Sequence, residues 1–295
     1  MSAAAWVEVS WRQGGQQARD GLRRLAVAGA PALSLATCAR VGWLLTGPGA
    51  EAEGARLARQ IRAEAAIQPV ERRGDAALHR LLQVSAGLDS AAEGELDIGR
   101  QAVAALGRAR ALYPEAPFAL LEHVLYRLLR QGRRDGWIRA RVGVPEAATA
   151  LVLEARPPSV GVIGAGAMGE RVQVALTRAG APFRWYNRTA RPGVLGLHAL
   201  APHEAWIVAT GARAAWLEPP AGASLIVDLG QPPQVFSGAG RLVALDALLG
   251  ASALRLSDGQ RQRAHAAVNA ATEDLISRLR RRAPAPAEHD LGVRP

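Results

Sequence analysis

The sequence predicts an α/β chain: an N-terminal α+β domain, then a doubly wound domain on a parallel sheet, then one C-terminal helix. Three observations predict this. A length of 295 residues suits two domains at roughly 150 residues each. The hydrophobic period changes after Pro157-Pro158. Beyond that pair, short apolar runs alternate with helix spacing and glycine turns, which is the pattern of a parallel sheet. The expected parts are residues 1–150, 151–256, a helix at 257–282 and a loose tail at 283–295.

The elements follow in order. Residues 6–11 alternate as WVEVSW and read as a strand, with Val7 and Val9 on one face. Residues 15–28 carry a helix pattern through Leu22, Leu25 and Val27. Two short strands at 32–37 and 41–45 flank Cys38-Ala39-Arg40, and Gly47-Pro48-Gly49 ends the second. Residues 51–66 read as a helix. From Asp75 to Leu129 the chain is helical with breaks at Gly87 and at the loop 113–117.

In the second half, Val160-Gly161-Val162-Ile163 reads as a strand, with a glycine turn and a helix after it. Further strands are expected at 183–187, 205–209 and 225–229. Ser257-Asp258-Gly259-Gln260 reads as a capping box opening the last helix. That helix carries the stripe Ala264, Val268, Ala271, Leu275 and Leu279, suited either to a two-helix contact or to packing on its own domain. No internal repeat is visible.

Composition excludes several classes. At 49% hydrophobic residues the chain can build a sizeable core. A single cysteine excludes a disulfide framework within the chain and a Cys-rich metal site. The six histidines are scattered without ligand spacing, so no metal is assigned. No apolar run approaches the ~20 residues of a membrane span, and the N-terminus lacks the pattern of a secretory signal. The expected location is the cytoplasm. The net charge is +10, and the chain has no lysine, so every one of its cations other than histidine is an arginine. That habit fits a GC-rich genome and weakens the charge as evidence for a polyanion partner.

Gly164-Ala165-Gly166-Ala167-Met168-Gly169 matches G-x-G-x-x-G. With 31 glycines in the chain, about 0.3 matches are expected by chance, so the pattern alone says little. Its setting says more. It follows a strand and opens a helix, where glycines permit a tight turn and close approach of a pyrophosphate. A Rossmann-type dinucleotide site is therefore predicted. Some twenty residues on, where NAD sites place an acid, the chain reads Asn187-Arg188-Thr189, with Arg191 nearby. A guanidinium suits a 2′-phosphate, so the expected cofactor is NADPH.

The lone thiol sits in Ala36-Thr37-Cys38-Ala39-Arg40, two residues from a guanidinium that favours thiolate. Here the chain resembles glutamyl-tRNA reductase, whose nucleophile lies in S-T-C-N-R. The resemblance continues in order. Gly87-Leu88-Asp89-Ser90 with Gly94, Glu95, Ile98 and Gln101 follows GLDS…GEPQILGQ, and Gly132-Arg133-Arg134 follows GKRVR. Ile163–Gly169 and Asn187–Thr189 repeat the cofactor motifs. Ala209-Thr210-Gly211-Ala212 and Asp228-Leu229-Gly230-Gln231-Pro232 match the later ATGA and D-I-A-V-P.

The resemblance implies reduction of glutamyl-tRNA by NADPH to glutamate-1-semialdehyde through a thioester on Cys38, the entry to tetrapyrroles. It implies that Thr37, Arg40, Arg80, Ser90, Glu95, Asp97 and Gln101 bind substrate. Gly164, Ala165, Gly166, Ala167, Met168, Gly169, Asn187, Arg188, Thr189, Thr210 and Gly211 would bind the cofactor. The downstream glutamate-1-semialdehyde aminomutase would be a partner. The family continues past its long helix into a dimerisation domain, so a monomer, or a weak dimer through the C-terminal helix, is expected here.

The chain departs from the family at several places. Ala39 replaces Asn, Gly42 replaces Glu, and Asp97 replaces Gln. Arg80 stands where the family has histidine, with His79 one place earlier, and the early N-H-K-T-A-P reads Ser10-Trp11-Arg12-Gln13-Gly14-Gly15. These leave two alternatives: a reductase of another ester or thioester, or a non-catalytic relative that binds tRNA or a pathway partner.

Overall fold

The computed structural model describes residues 4–10, 22, 30–37, 40–65, 67–90, 92–139, 143–211, 215–230, 233–236, 238, 240–249 and 255–282. Cys38, most of the helix expected at 15–28, and the tail 283–295 lie outside these residues.

The first sheet holds β1 (Ala4–Ser10), β2 (Ala32–Ala36), β3 (Arg40–Thr46) and β4 (Val70–Arg73), in the order β2-β3-β1-β4. All its pairings are antiparallel. Both faces are covered. Val7, Val9, Val41 and Trp43 pack under α1 (Ala50–Ala65) through Leu57, Ala58 and Ile61. On the other face, Trp6, Leu33, Leu35 and Leu44 meet α2 (Asp75–Ser85), α3 (Leu96–Leu112) and α4 (Phe118–Arg134). β1 is therefore buried on both sides, which its alternation does not announce. β4 is the strand the sequence did not reveal: Val-Glu-Arg-Arg is short, largely exposed and lies at a sheet edge.

The second sheet is parallel throughout. It comprises β5 (Val160–Ile163), β6 (Phe183–Asn187), β7 (Leu195–Gly196), β8 (Ala205–Val208), β9 (Leu225–Asp228) and β10 (Arg241–Ala244), ordered β10-β9-β8-β5-β6-β7. β5 is fully buried, as a central parallel strand should be. α5 (Val144–Glu154) straddles residues 150 and 151 and gives Val144, Ala148 and Val152 to this second core, beside Val172 and Leu176 of α6 (Ala167–Arg178). A short α7 (Leu245–Leu249) follows β10.

The last helix, α8 (Asp258–Arg282), returns to the first core. The capping box forms: the Gln260 N–H donates to Ser257 Oγ at 3.3 Å, and the Ser257 N–H donates to Gln260 Oε1 at 3.1 Å. Ala264, Val268, Leu275 and Leu279 are buried against the first core, with Ala271 partly buried there. The stripe thus packs on its own chain. Glu93 fixes the start of this return: its carboxylate accepts the Leu256 N–H at 2.8 Å and pairs with Arg255 and Arg261.

A buried histidine sets one pH dependence. His203 lies between Ser159 Oγ at 2.7 Å and Tyr186 OH at 3.0 Å, edge-on to Trp206. Burial, with Arg184 nearby, holds its imidazole below the ordinary value. The unfolded chain therefore takes up this proton more readily. The contribution to stability is complete above about pH 6.5 and is lost as pH falls below it. The unfolding midpoint in urea is expected to fall between pH 7.5 and 5.5, and by less in His203→Gln. An equal fall in both proteins would assign the pH dependence elsewhere.

Candidate active site

Thr37 and Arg40 face each other where β2 turns into β3. The Thr37 N–H donates to the Arg40 carbonyl at 2.8 Å, and the Arg40 N–H donates to Thr37 Oγ1 at 3.2 Å. Residue 38 lies between them in sequence. Arg40 then reaches the turn after α2. Its Nη1 meets Asp89 Oδ2 and its Nη2 meets the Asp89 carbonyl, both at 2.5 Å. The Gly87 backbone that shapes this turn has φ +70°, a conformation glycine adopts freely.

Arg80 comes from α2 to the same place. Its Nη2 donates to Asp89 Oδ2 at 2.6 Å and to Glu8 Oε1 at 2.6 Å, while its Nε donates to Glu8 Oε2 at 3.0 Å. Glu8 also accepts the Trp6 Nε1–H at 2.7 Å and lies 3.4 Å from Arg40. Glu8 and Gly42 are direct cross-strand partners. Glu8 thus places a carboxylate directly across from residue 42. A side chain at residue 42 would also collide with the Trp6 indole. Burial pushes the Asp89 carboxyl up, but Arg40 and Arg80 outweigh it and hold the group below its ordinary value.

The other expected substrate residues are placed differently. Ser90 is buried beside this cluster, its Oγ accepting the Ala92 N–H at 3.3 Å. Glu95 and Asp97 turn toward the second domain, where Arg171 of α6 meets them at 3.2 and 2.6 Å and also meets Glu146 of α5 at 3.3 Å. Burial holds Glu95 above its ordinary value despite Arg171. Gln101 lines a groove of about 530 Å³ between β2 and α3. His79 faces α8, bonded to Asn269 at 3.0 Å, and does not join Arg80.

Most of the residues expected to bind a cofactor gather at the carboxyl ends of β5 and β8. There the strand order reverses direction, the place where doubly wound sheets bind ligands. A cavity of about 170 Å³ is lined by Gly164, Ala165, Gly166, Asn187, Arg188, Thr210, Gly211 and Trp216, among others. The three glycines have separate reasons. A Cβ on Gly164 would strike the Ala209 carbonyl, and one on Gly169 would strike the Gly164 carbonyl. A Cβ on Gly166 would meet nothing. The structural glycines are thus the first and third, and the second leaves open the approach a pyrophosphate needs. The residues present fit a dinucleotide. Ala167 and Met168 open α6. The Thr189 carbonyl accepts the Asn187 side-chain N–H at 3.2 Å. Arg191 is engaged by the Ala165 carbonyl at 2.8 Å, by Glu170 at 3.2 Å and by the Trp185 ring. Arg188 lines the cavity itself.

Against solved structures, the chain matches glutamyl-tRNA reductase from Methanopyrus kandleri over 94% of this chain and 80% of that one, at 18% identity and a TM-score of 0.50. The chain has the glutamyl-tRNA reductase fold. The nucleotide-binding domain of glutamyl-tRNA reductase from Thermoplasma volcanium also matches, over 36% of this chain and 88% of that one, at 14% identity and a TM-score of 0.25. No protein-family model and no curated protein matches the sequence. The fold carries two devices that its sequence motifs did not indicate. One is Glu8, inside an apolar strand. The other is Gln234, which accepts Thr210 Oγ1–H and Trp216 Nε1–H at 3.2 Å each and ties the two crevice loops together. Among the described residues, no cluster of three His, Cys, Asp or Glu is placed to hold a metal, and no helix is long and apolar enough to cross a membrane.

Proposed function

We propose that this chain is an NADPH-dependent reductase of glutamyl-tRNA that works through a thioester on Cys38. The observation that carries the reading is the convergence of Arg40, Arg80, Asp89 and Ser90 beside the Thr37–Arg40 turn, in a chain that also holds a dinucleotide crevice. The Cys38 sulfur bonds to the glutamyl carbonyl carbon, the ester C–O bond breaks, and the tRNA 3′ oxygen leaves and takes a proton. A thiolate is a strong nucleophile and then a competent leaving group, so it suits both halves of the reaction. The chemistry that NADPH supplies when bound is a hydride for the thioester carbon. Release of the Cys38 sulfur then gives glutamate-1-semialdehyde. Gly164, Gly166 and Thr210 would hold the cofactor, and Arg188 its 2′-phosphate.

The tRNA brings phosphates. α4 presents Arg127, Arg130 and Arg134 to a groove of about 500 Å³ against α8, and binding there would weaken as salt rises. Incubation of the purified chain with charged tRNA and NADPH is expected to give a trappable aldehyde. Binding of charged tRNA with no NADPH consumed would overturn the reading in favour of a non-catalytic role.

Arg188→Ala separates the cofactors. NADPH affinity is expected to fall about tenfold or more, the worth of a charge-assisted pair, with NADH affinity unchanged. Fluorescence titration of both nucleotides checks it. A wild type that binds both equally would sink the 2′-phosphate assignment.

A further inference from the structure

The cluster of Glu8, Arg40, Arg80 and Asp89 is neutral as it stands, with two guanidiniums facing two carboxylates. Its two acids are held very differently. Glu8 lies within β1, its side chain 7% exposed, fixed by Arg80 on both oxygens and by the Trp6 indole. Asp89 lies on the turn after α2, its side chain 45% exposed, with Oδ2 shared between Arg40 and Arg80. Arg40 also holds the Asp89 backbone carbonyl. That second contact anchors the turn whether or not the carboxylate stays in place.

The reductase reading makes Arg40 and Arg80 the place where the substrate carboxylate is received, and we propose that Asp89 is an internal carboxylate occupying that place until the ligand displaces it. The inference deepens the reductase reading, which alone identifies the ligand as a glutamyl group. The arrangement has a physical logic. Among the described residues, two half-buried guanidiniums facing Glu8 alone would carry an uncompensated charge out of water, which is costly. Asp89 removes that cost in the resting protein. Exchange of Asp89 for a ligand carboxylate trades one charge-assisted pair for another, so a free carboxylate gains little. A glutamyl group held elsewhere as well, through its tRNA or a bond to the chain, pays less entropy and displaces Asp89 more easily. Glu8 acts as a positioning residue, since it fixes the Arg80 fork that the ligand would meet.

The test uses the full chain without nucleotide or RNA. Glutarate and its neutral counterpart glutaramide are titrated by calorimetry into the wild type and Asp89→Asn. Glutarate is expected to bind the variant about tenfold more tightly, on the scale of one charged hydrogen bond, with glutaramide unchanged. Asp89→Ser is expected to show the same gain, which covers a folding failure of the first variant. Equal glutarate affinity in wild type and variants overturns the inference. So does a parallel gain for glutaramide, which would reflect a roomier pocket and not a charge. The titration involves no turnover, so its failure leaves the reductase reading standing, and an absence of aldehyde leaves the displacement of Asp89 standing.

Discussion

Cys38→Ser is expected to cut aldehyde formation by about a thousandfold or more, the usual scale for losing a covalent nucleophile. The serine hydroxyl keeps its proton at neutral pH, and no general base is placed on it by the proposed chemistry. An ester formed there would also be less electrophilic than a thioester, and its oxygen a poorer leaving group. Both halves of the reaction therefore suffer. NADPH binding should be unchanged, because the crevice residues lie on the second sheet. Two measurements check this: trapped aldehyde from charged tRNA, and nucleotide titration of the same preparation. Because the chain has one cysteine, a single equivalent of iodoacetamide should reproduce the loss in the wild type. A serine variant retaining a tenth of the activity would rule out the thioester.

The parts of this molecule that sequence reveals are those built from local signals. The run Val160–Ile163 with its glycines gives β5, the turn and α6, because strand, glycine turn and helix follow one another directly in the chain. Ser257 and Gln260 announce α8 because a capping box spans four residues. α5 escaped because it begins at Val144-Pro145 and its interior is apolar on most sides, which blurs helical periodicity. β7 and β10 are edge strands of two and four residues, too short to show a period.

The site was legible in its residue types and less so in its pairings. Arg40 and Arg80 both stood out, yet their partner Glu8 did not. The β1 pattern shows only that Glu8 shares a face with Trp6. That this face is buried, and that residue 8 lies across from residue 42, depends on strand register set over 33 intervening positions. Glu95 and Asp97 teach the same lesson. Their motif suggests substrate, while their contact is Arg171, which the chain supplies only after β5 and the glycine loop. Charges in a sequence are visible, but their partners are decided by the fold.

Asp228→Ala is expected to destabilise the chain by about 3 kcal/mol, because it strips charged acceptors from buried backbone donors. Asp228 ends β9 with no exposed surface. Its Oδ1 accepts the Gly230 N–H at 2.8 Å, and its Oδ2 accepts the N–H groups of Gln234 at 2.6 Å and Val235 at 2.9 Å. Alanine leaves these donors inside the fold with neither the carboxylate nor ready access to water. Asparagine is not a mild replacement: its amide presents N–H groups to donors at one of the two positions. The loss should extend to the cofactor. Gln234 bonds both Thr210 and Trp216, and both line the dinucleotide crevice. A loosened loop would therefore weaken NADPH binding even though Asp228 is not among the lining residues. Urea unfolding with and without NADPH separates the two effects. Bound nucleotide stabilises the folded state by an amount that grows with the logarithm of its affinity, so the variant should gain less from NADPH than the wild type does. If the variant loses stability but gains as much from NADPH as the wild type, Asp228 supports the fold alone. If it loses under about 1 kcal/mol, the loop is held by its other contacts.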